Sequence, residues 1–381
     1  MPKNSILIIL LFFIAACATM ADWWLNDRTQ EPPYIVAPEI LDFHKTLTIV
    51  DLHADPLLWE RDLLSRNTRG HVDLPRLQEG NVSLQVFGVV TGVPFPLSME
   101  NNEDKNDLID LVASSQGWPE ATHDSRLQRA LFQAKRLHER AHASQDALRV
   151  IKSRTDLASL IASRQAGKPV VGGLLSLEGT HALEGNPANI DTLFNAGFRM
   201  LGLVHLMDND MAGSAHGVSR YGLTDKGLKM LQRALALNMV IDLAHASEQT
   251  IDDVLRIVDR PVVASHGGVR ATCDTARNLA DRHIKSIANT GGLIGIGLYE
   301  YAVCGKTLEH TVRAMHHVAN LVGIQHVALG TDFDGATETV VDATGLVLLT
   351  EALLKGGFSH DDIRAIMGKN AIRVLNRTLP R

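Results

Sequence analysis

The chain has little cysteine: three residues in 381. That excludes a disulfide-dense scaffold and any zinc site built on four thiolates. It has no basic excess either. Thirty-seven Lys and Arg face 43 Asp and Glu, a net charge of −6, so the electrostatic footprint of a nucleic-acid binder is missing. Long apolar runs are absent beyond the extreme N-terminus, which excludes a polytopic membrane protein. There is no Gly-x-Ser-x-Gly elbow and no Gly-Lys-Ser/Thr phosphate loop. Gly295-Ile296-Gly297 lacks the third glycine of a dinucleotide fingerprint and lies inside an apolar run. No short-period repeat or low-complexity tract occurs. What remains is an ordinary globular composition, 45% hydrophobic and 21% charged, with 17 histidines, many for such a chain.

The one apolar run of note is Ile6 to Ala16, behind an n-region whose only charge is Lys3. At about 1.5 Å rise per residue it is too short for a ~30 Å hydrocarbon core, and it reads as the h-region of a secretory signal. It ends Ile14-Ala15-Ala16-Cys17, which resembles a bacterial lipoprotein box, with Ile14 in place of the commoner Leu. The expectation is a signal peptide over 1–16, lipidation of Cys17, a tether over 17–38 and a single domain over 39–381. The protein would then sit in the bacterial cell envelope, on the periplasmic side, held to a membrane. A cleaved signal without lipid and an uncleaved anchor are the alternatives. Export would bring Cys273 and Cys304 to maturity where disulfides persist. A disulfide between them is the expectation, and a pair of free core thiols the alternative.

Along the body, β-rich apolar runs alternate with helical periodicity. The runs are Leu47–Leu52, Val82–Val90, Val170–Leu177, Phe198–Val204, Met239–Ala244, Val262–Ser265, Gly292–Leu298 and Val327–Thr331. Helices are predicted over Asp156–Gln165, from a Thr224 cap to Leu237, from a Ser247 cap to about Val258, over Asp281–Asn289 and over Thr307–Val322. Others follow from about Thr344 and Ser359. The stretch Asp104–Ala147 is polar and helical and reads as an insertion. Eight strands in this rhythm predict an α/β fold, a (β/α)8 TIM-type barrel, regular or distorted, with a helical insertion and C-terminal helices. A doubly wound open sheet is the alternative.

Barrel active sites form at the carboxyl ends of the strands, so the residues just after each apolar run matter most. They are His53 and Asp55, Glu178, His205, His245, His266, Tyr299 and Asp332. Each alone has a bland explanation: a hydrogen-bonded core pair for His53 and Asp55, a helix cap for Glu178, loop histidines, turn chemistry for Asp332, packing for Tyr299. Together they exceed what packing requires, because buried charge needs a partner. His138 and His142 share a helix face with charged neighbours and read as solvated, as do His316 and His317. Imidazole with carboxylate and no thiolate cluster suits zinc, with manganese or iron as alternatives. The set is large enough for two ions sharing a bridging carboxylate.

With these residues in view, the chain resembles the membrane (renal-type) dipeptidase family of metallopeptidases from about Ile49 to its C-terminus. The resemblance rests on Asp51-Leu52-His53-Ala54-Asp55, Leu177-Glu178-Gly179, Leu203-Val204-His205, Asp242-Leu243-Ala244-His245, Ser265-His266, Ala276-Arg277-Asn278 and Gly330-Thr331-Asp332-Phe333-Asp334-Gly335. It implies that His53 and Asp55 bind one zinc ion, that His245 and His266 bind a second, and that Glu178 bridges them. It further implies a substrate-contacting His205, an Arg277 that holds the substrate carboxylate, a substrate-side Tyr299 and a catalytic Asp332. It adds support for the Cys273–Cys304 disulfide and suggests a homodimer. The implied reaction is dipeptide hydrolysis by a metal-bridging hydroxide. Two rivals stand beside it: a related amidohydrolase acting on N-acyl amino acids or β-lactams, and a non-catalytic surface binding lipoprotein. The chain departs from the family in its loops, near Asn101–His123 and at Asp208-Asn209-Asp210.

Overall fold

The computed structural model describes Asp22 and residues 24–381. The expected signal peptide and Cys17 lie outside the described residues. Among the described residues nine strands form, all paired in parallel: β1 (Ile49–Ala54), β2 (Val82–Val90), β3 (Leu148–Val150), β4 (Val171–Glu178), β5 (Phe198–Gly202), β6 (Val240–Asp242), β7 (Val263–Ala264), β8 (Leu293–Ile296) and β9 (Val327–Leu329). Pairing of β2 with β4 closes eight of them into a ring in the order β1, β2, β4, β5, β6, β7, β8, β9. This is the predicted (β/α)8 barrel. Every residue of β1, β2 and β4 is buried, as expected of a parallel sheet covered on both faces. The short β3, which the apolar pattern does not reveal, pairs with Val171–Gly173 of β4 below the point where β5 joins the same strand.

The two faces of the ring make separate cores. Leu175, Leu201, Ile241, Ala264, Ile294 and Leu329 pack outward with buried residues of the surrounding helices. Val50, Leu84, Leu174, Met200, Val240 and Leu293 pack together inside, with Val374 and Leu375 of the helix Asn370–Thr378 and with Leu157 and Leu160 of the helix Arg154–Gln165. Those helices close the lower end, so the open mouth is at the carboxyl ends of the strands.

Several predicted strands run past the observed ladder. Phe198–Val204, Met239–Ala244 and Val327–Thr331 stop at Gly202, Asp242 and Leu329. The extra apolar residues remain buried, and Leu203, Val204 and Leu243 pack into the outer core. The helix signals hold. Thr224 caps Asp225–Ala236 through the Gly227 N–H, Ser247 caps Glu248–Ile257 through Thr250, and Ser359 makes a capping box with Asp362. The helix Arg154–Gln165 starts two residues before the expected Asp156, because Ser153 accepts from the Asp156 N–H.

The stretch read as a tether is partly seated on the barrel. Thr29 and Gln30 donate to the carbonyls of Thr339 and Val340, at 2.9 and 3.0 Å, and Asn26 Oδ1 accepts from the Ala336 N–H. The Cys273–Cys304 disulfide is present and ties the loop after β7 to the turn after β8. Among the described residues no helix is long and apolar enough to cross a membrane.

Candidate metal centre

Glu178 ends β4 with the same inward parity as Leu174. Its Oε1 is a hub. The Nε2 atoms of His245, His53, His266 and His205 lie 3.1, 3.6, 3.6 and 3.7 Å from it. His53, on β1, also faces Asp55 Oδ2 at 3.3 Å and Asp332 Oδ1 at 4.0 Å. His245 follows β6 and His266 follows β7, and their Nε2 atoms approach to 3.0 Å. All of these residues are buried. The barrel therefore brings together every strand-end residue that the sequence singled out as a metal ligand, with His205 and Asp332 in the same cluster.

The space for this cluster comes from a residue the sequence reading passed over. Gly88 lies on β2, and a methyl group placed on it would sit 2.1 Å from Asp55 Oδ1 and 2.7 Å from His53 Cε1. Only glycine lets the β1 pair lean across the neighbouring strand. A second unforeseen device aims His266. Asp242 accepts from Ser265 Oγ at 2.5 Å, and Ser265 Oγ lies 2.9 Å from His266 Nδ1. With its proton committed to Asp242, the serine accepts from His266 Nδ1–H, which leaves Nε2 as a bare lone pair. Asp51 joins the ends of β1 and β9, accepting from Thr331 N–H and Oγ1 and from Gln85 Nε2. Burial raises its carboxyl to about 6, against the pull of those hydrogen bonds.

The electrostatics ask for a cation. Burial pushes His205, His245 and His266 well below the ordinary histidine range, aided by the neighbouring positive groups, so these rings are neutral. Burial also opposes charge on His53, but Asp55 and Glu178 overcome it and hold its pKa well above the usual value. Burial raises Glu178, with Asp55 adding to the effect. Asp332 is pushed up to about 8, first by burial and then by Asp55 and Glu178, against the pull of His53. Asp55 Oδ1, Glu178 Oε2 and the Nδ1 atoms of His53 and His245 are buried without a hydrogen-bond partner. Neutral imidazole lone pairs and crowded carboxylates converging on one spot fit metal binding, and the N/O donor set fits zinc.

A cleft of about 570 Å³ opens over the cluster and is lined by Glu178, His205, His245, Arg277, Tyr299 and Asp332, among others. Arg277 Nη2 donates to the His266 carbonyl at 2.7 Å, while its Nε is buried without a partner. Asp281, the next carboxylate along the chain, engages His317 at 2.7 Å and forms no ion pair with Arg277. The Tyr299 hydroxyl, raised by burial, lies within the field of Arg277. Of the remaining histidines, His138 is not simply solvated: its Nε2 meets the Ala196 carbonyl at 2.9 Å. His316 likewise meets the Gly356 carbonyl.

The family model described as membrane dipeptidase (peptidase family M19) matches residues 38–379. The chain is 28% identical over 321 residues to dipeptidase tcpJ of Claviceps purpurea, covering 82% of this chain and 70% of that one. It is similar to the crystal structure of dipeptidase AC, a metallopeptidase of family M19, with a TM-score of 0.74 and 25% identity over 88% of this chain and all of that one. It is also similar to a metallopeptidase from Rhodobacter sphaeroides liganded with a phosphinate mimic of the dipeptide L-Ala-D-Ala, with a TM-score of 0.71 and 26% identity over 87% and 99% of the two chains. With the barrel, the cluster at its mouth and these relatives in agreement, the chain belongs to the membrane dipeptidase family, the M19 metallopeptidases, and is a dipeptide hydrolase.

Proposed function

We propose that the protein hydrolyses dipeptides at a two-zinc centre, with His53 and Asp55 on one ion, His245 and His266 on the other, and Glu178 bridging. The observation that carries this reading is the convergence of four imidazole Nε2 atoms on Glu178 Oε1 at the barrel mouth. Bound there, zinc would supply a nucleophile from water near neutral pH and polarise the scissile carbonyl. The chain's own groups do the rest. Arg277 grips the substrate's terminal carboxylate with a planar fork, and its partnerless Nε supports that role. Tyr299 borders the same end of the substrate. His205 steadies the charge developing on the carbonyl oxygen. Asp332, whose carboxyl holds a proton unusually well, moves the proton from the nucleophile to the leaving amine. A longer peptide offers no carboxylate within reach of Arg277, which limits the substrate to two residues.

The test is hydrolysis of Gly-Ala and N-acetyl-alanine by the purified protein, before and after a chelator, with metal analysis of the same sample. Turnover of Gly-Ala that falls with chelation and returns with zinc is the expected result. Preference for N-acetyl-alanine would move the protein to another amidohydrolase class. We further propose lipidation at Cys17, attachment to a membrane of the bacterial envelope and a homodimer. The lipoprotein-like box supports the first two and the family resemblance supports the third.

A further inference from the structure

The cleft over the metal cluster has two unlike halves, and the contrast leads to the substrate. One half carries the ligands, Arg277, Tyr299 and Asp332. The other is apolar: Leu58 and Trp59 from the loop after β1, Val90 at the end of β2, and Val93, Ile109 and Val112 from the connection to β3. Leu58, Trp59, Val90 and Ile109 belong to one buried cluster with Ala113 and Trp118, and Val93 and Val112 pack against it. The wall is fixed rather than collapsible. Trp59 Nε1 donates to the Asp334 carbonyl at 2.7 Å, and Arg129 braces the connection through the carbonyls of Thr91 and Thr122 and the Asp107 carboxylate. None of the six lining residues is charged. Arg136, packed against Trp118 and Phe132 of this cluster, spends its guanidinium on the carbonyls of Leu57 and Trp59, at 2.8 and 2.7 Å.

Topology says which half of a dipeptide meets this wall. Arg277 follows β7, and the wall grows chiefly from β2. In the closed ring β2 and β7 stand opposite each other, four strands apart in either direction. A dipeptide whose carboxylate is held by Arg277 and whose peptide bond lies over the cluster directs its amino-terminal residue toward β2. We infer that the apolar wall is the pocket for the amino-terminal side chain, and that the protein is selective for dipeptides beginning with a bulky apolar residue. This rests on the dipeptidase reading and on the Arg277 carboxylate clamp. Burying a leucine- or phenylalanine-sized side chain contributes about 1.5–3 kcal/mol, which is about 10- to 150-fold in kcat/KM over glycine. A charged side chain would lose its water there without gaining a partner.

The experiment is a kcat/KM series on Gly-Ala, Leu-Ala, Phe-Ala, Asp-Ala and Lys-Ala with the metal-loaded full chain. Leu-Ala and Phe-Ala are expected about 10- to 150-fold above Gly-Ala, with Asp-Ala and Lys-Ala below it. Val112→Asp, at a half-buried position, is expected to reduce the Leu-Ala to Gly-Ala ratio at least about tenfold and to raise Lys-Ala relative to Leu-Ala. If that variant does not fold, Val112→Thr keeps the shape while adding a hydroxyl, and should lower the ratio by about threefold or more. A flat series in which Gly-Ala is hydrolysed as well as Leu-Ala overturns the inference and leaves the dipeptidase reading standing. So does parity of Asp-Ala or Lys-Ala with Leu-Ala. Failure to hydrolyse any of the five with metal bound overturns the dipeptidase reading itself.

Discussion

Gly88→Ala isolates the geometry of the metal centre without touching a ligand. The added methyl would lie 2.1 Å from Asp55 Oδ1, 2.7 Å from His53 Cε1 and 2.9 Å from His53 Nε2. Non-bonded contacts settle at roughly 3.5 Å or more, so either the ligand pair or β2 must retreat by roughly 1 Å. Strand β2 has little freedom, because it is bonded to β1 on one edge and to β4 from Leu84 to Val90 on the other. The side chains of His53 and Asp55 therefore move. Metal–ligand distances tolerate only about ±0.2 Å, and disturbing the groups that merely orient ligands already weakens metal binding by about 10- to 100-fold. We expect Gly88→Ala to bind its first-site metal at least about 100-fold more weakly, with hydrolysis falling in parallel. Metal content after dialysis against buffered zinc, read beside far-UV circular dichroism and the melting temperature of the metal-free protein, checks this. The metal-free variant should stay folded. Wild-type metal stoichiometry and affinity in a folded Gly88→Ala protein would refute the steric argument and the placement of His53 and Asp55 as ligands.

Ser265→Ala should leave His266 free to choose its tautomer and weaken metal affinity about 10- to 100-fold, measured by competition with a zinc indicator, with little change in fold. Arg277→Ala should lower kcat/KM on free dipeptides by roughly 30-fold to several thousand-fold, the effect of about 2–5 kcal/mol for a buried charge pair. Metal content should be unchanged and a dipeptide amide, poor for the wild type, little affected; equal losses on both substrates would sink the clamp. His44 is buried between the Thr350 hydroxyl and the Gly80 carbonyl, and burial lowers its pKa from 6.5 to about 4. The unfolded chain takes up the proton first, so stability is full above about pH 6.5 and falls toward pH 4, by roughly 3 kcal/mol for this group. Denaturant titrations should show that component vanish in His44→Gln. Cys17→Ser should release an active enzyme from membranes, and retention on washed membranes after processing would refute the lipid anchor.

The barrel was legible because its strands are apolar on both faces and its helices carry capping residues. Thr224, Ser247 and Ser359 sit where a side-chain oxygen must accept an N–H. The candidate ligands were legible for a related reason: a polar residue directly after an apolar run has nowhere to point but the rim. What escaped was set by contacts between distant segments. Strand β3 has three residues, one of them Arg149, and exists through its pairing with β4. Gly88 reads as one more glycine until Asp55 is placed against it. The stretch Asp104–Ala147 reads as polar because Asp104, Asp107 and Asp110 punctuate it, yet Ile109 is buried and Val112 and Ala113 join the same apolar cluster. Asp107 in turn caps the helix Leu108–Ser115 and pairs with Arg129 at 2.6 Å. The acidic pattern thus served to anchor an apolar wall.

The backbone at the mouth explains why this site needs so many ties. His245 and Asp332 both hold left-handed backbone angles, with φ of 62° and 63°, a conformation that strains non-glycine residues by about 1–3 kcal/mol each. A strand leaves its barrel pointing up and outward, and a left-handed residue turns the chain sharply back over the mouth. That turn aims His245 at Glu178, and Asp332 toward His53. It persists because the surrounding loops fix it from both sides. The His245 carbonyl accepts from Ala215 N–H at 2.7 Å, while Asp332 donates its N–H to the His53 carbonyl and accepts from Gly335 and Thr337. Asp55 N–H then bonds the Phe333 carbonyl at 2.8 Å. Asp55, just past β1, and Asp332, just past β9, are therefore fixed by one continuous set of backbone bonds. Their spacing is set by bonds between the segments that directly follow two neighbouring strands of the ring.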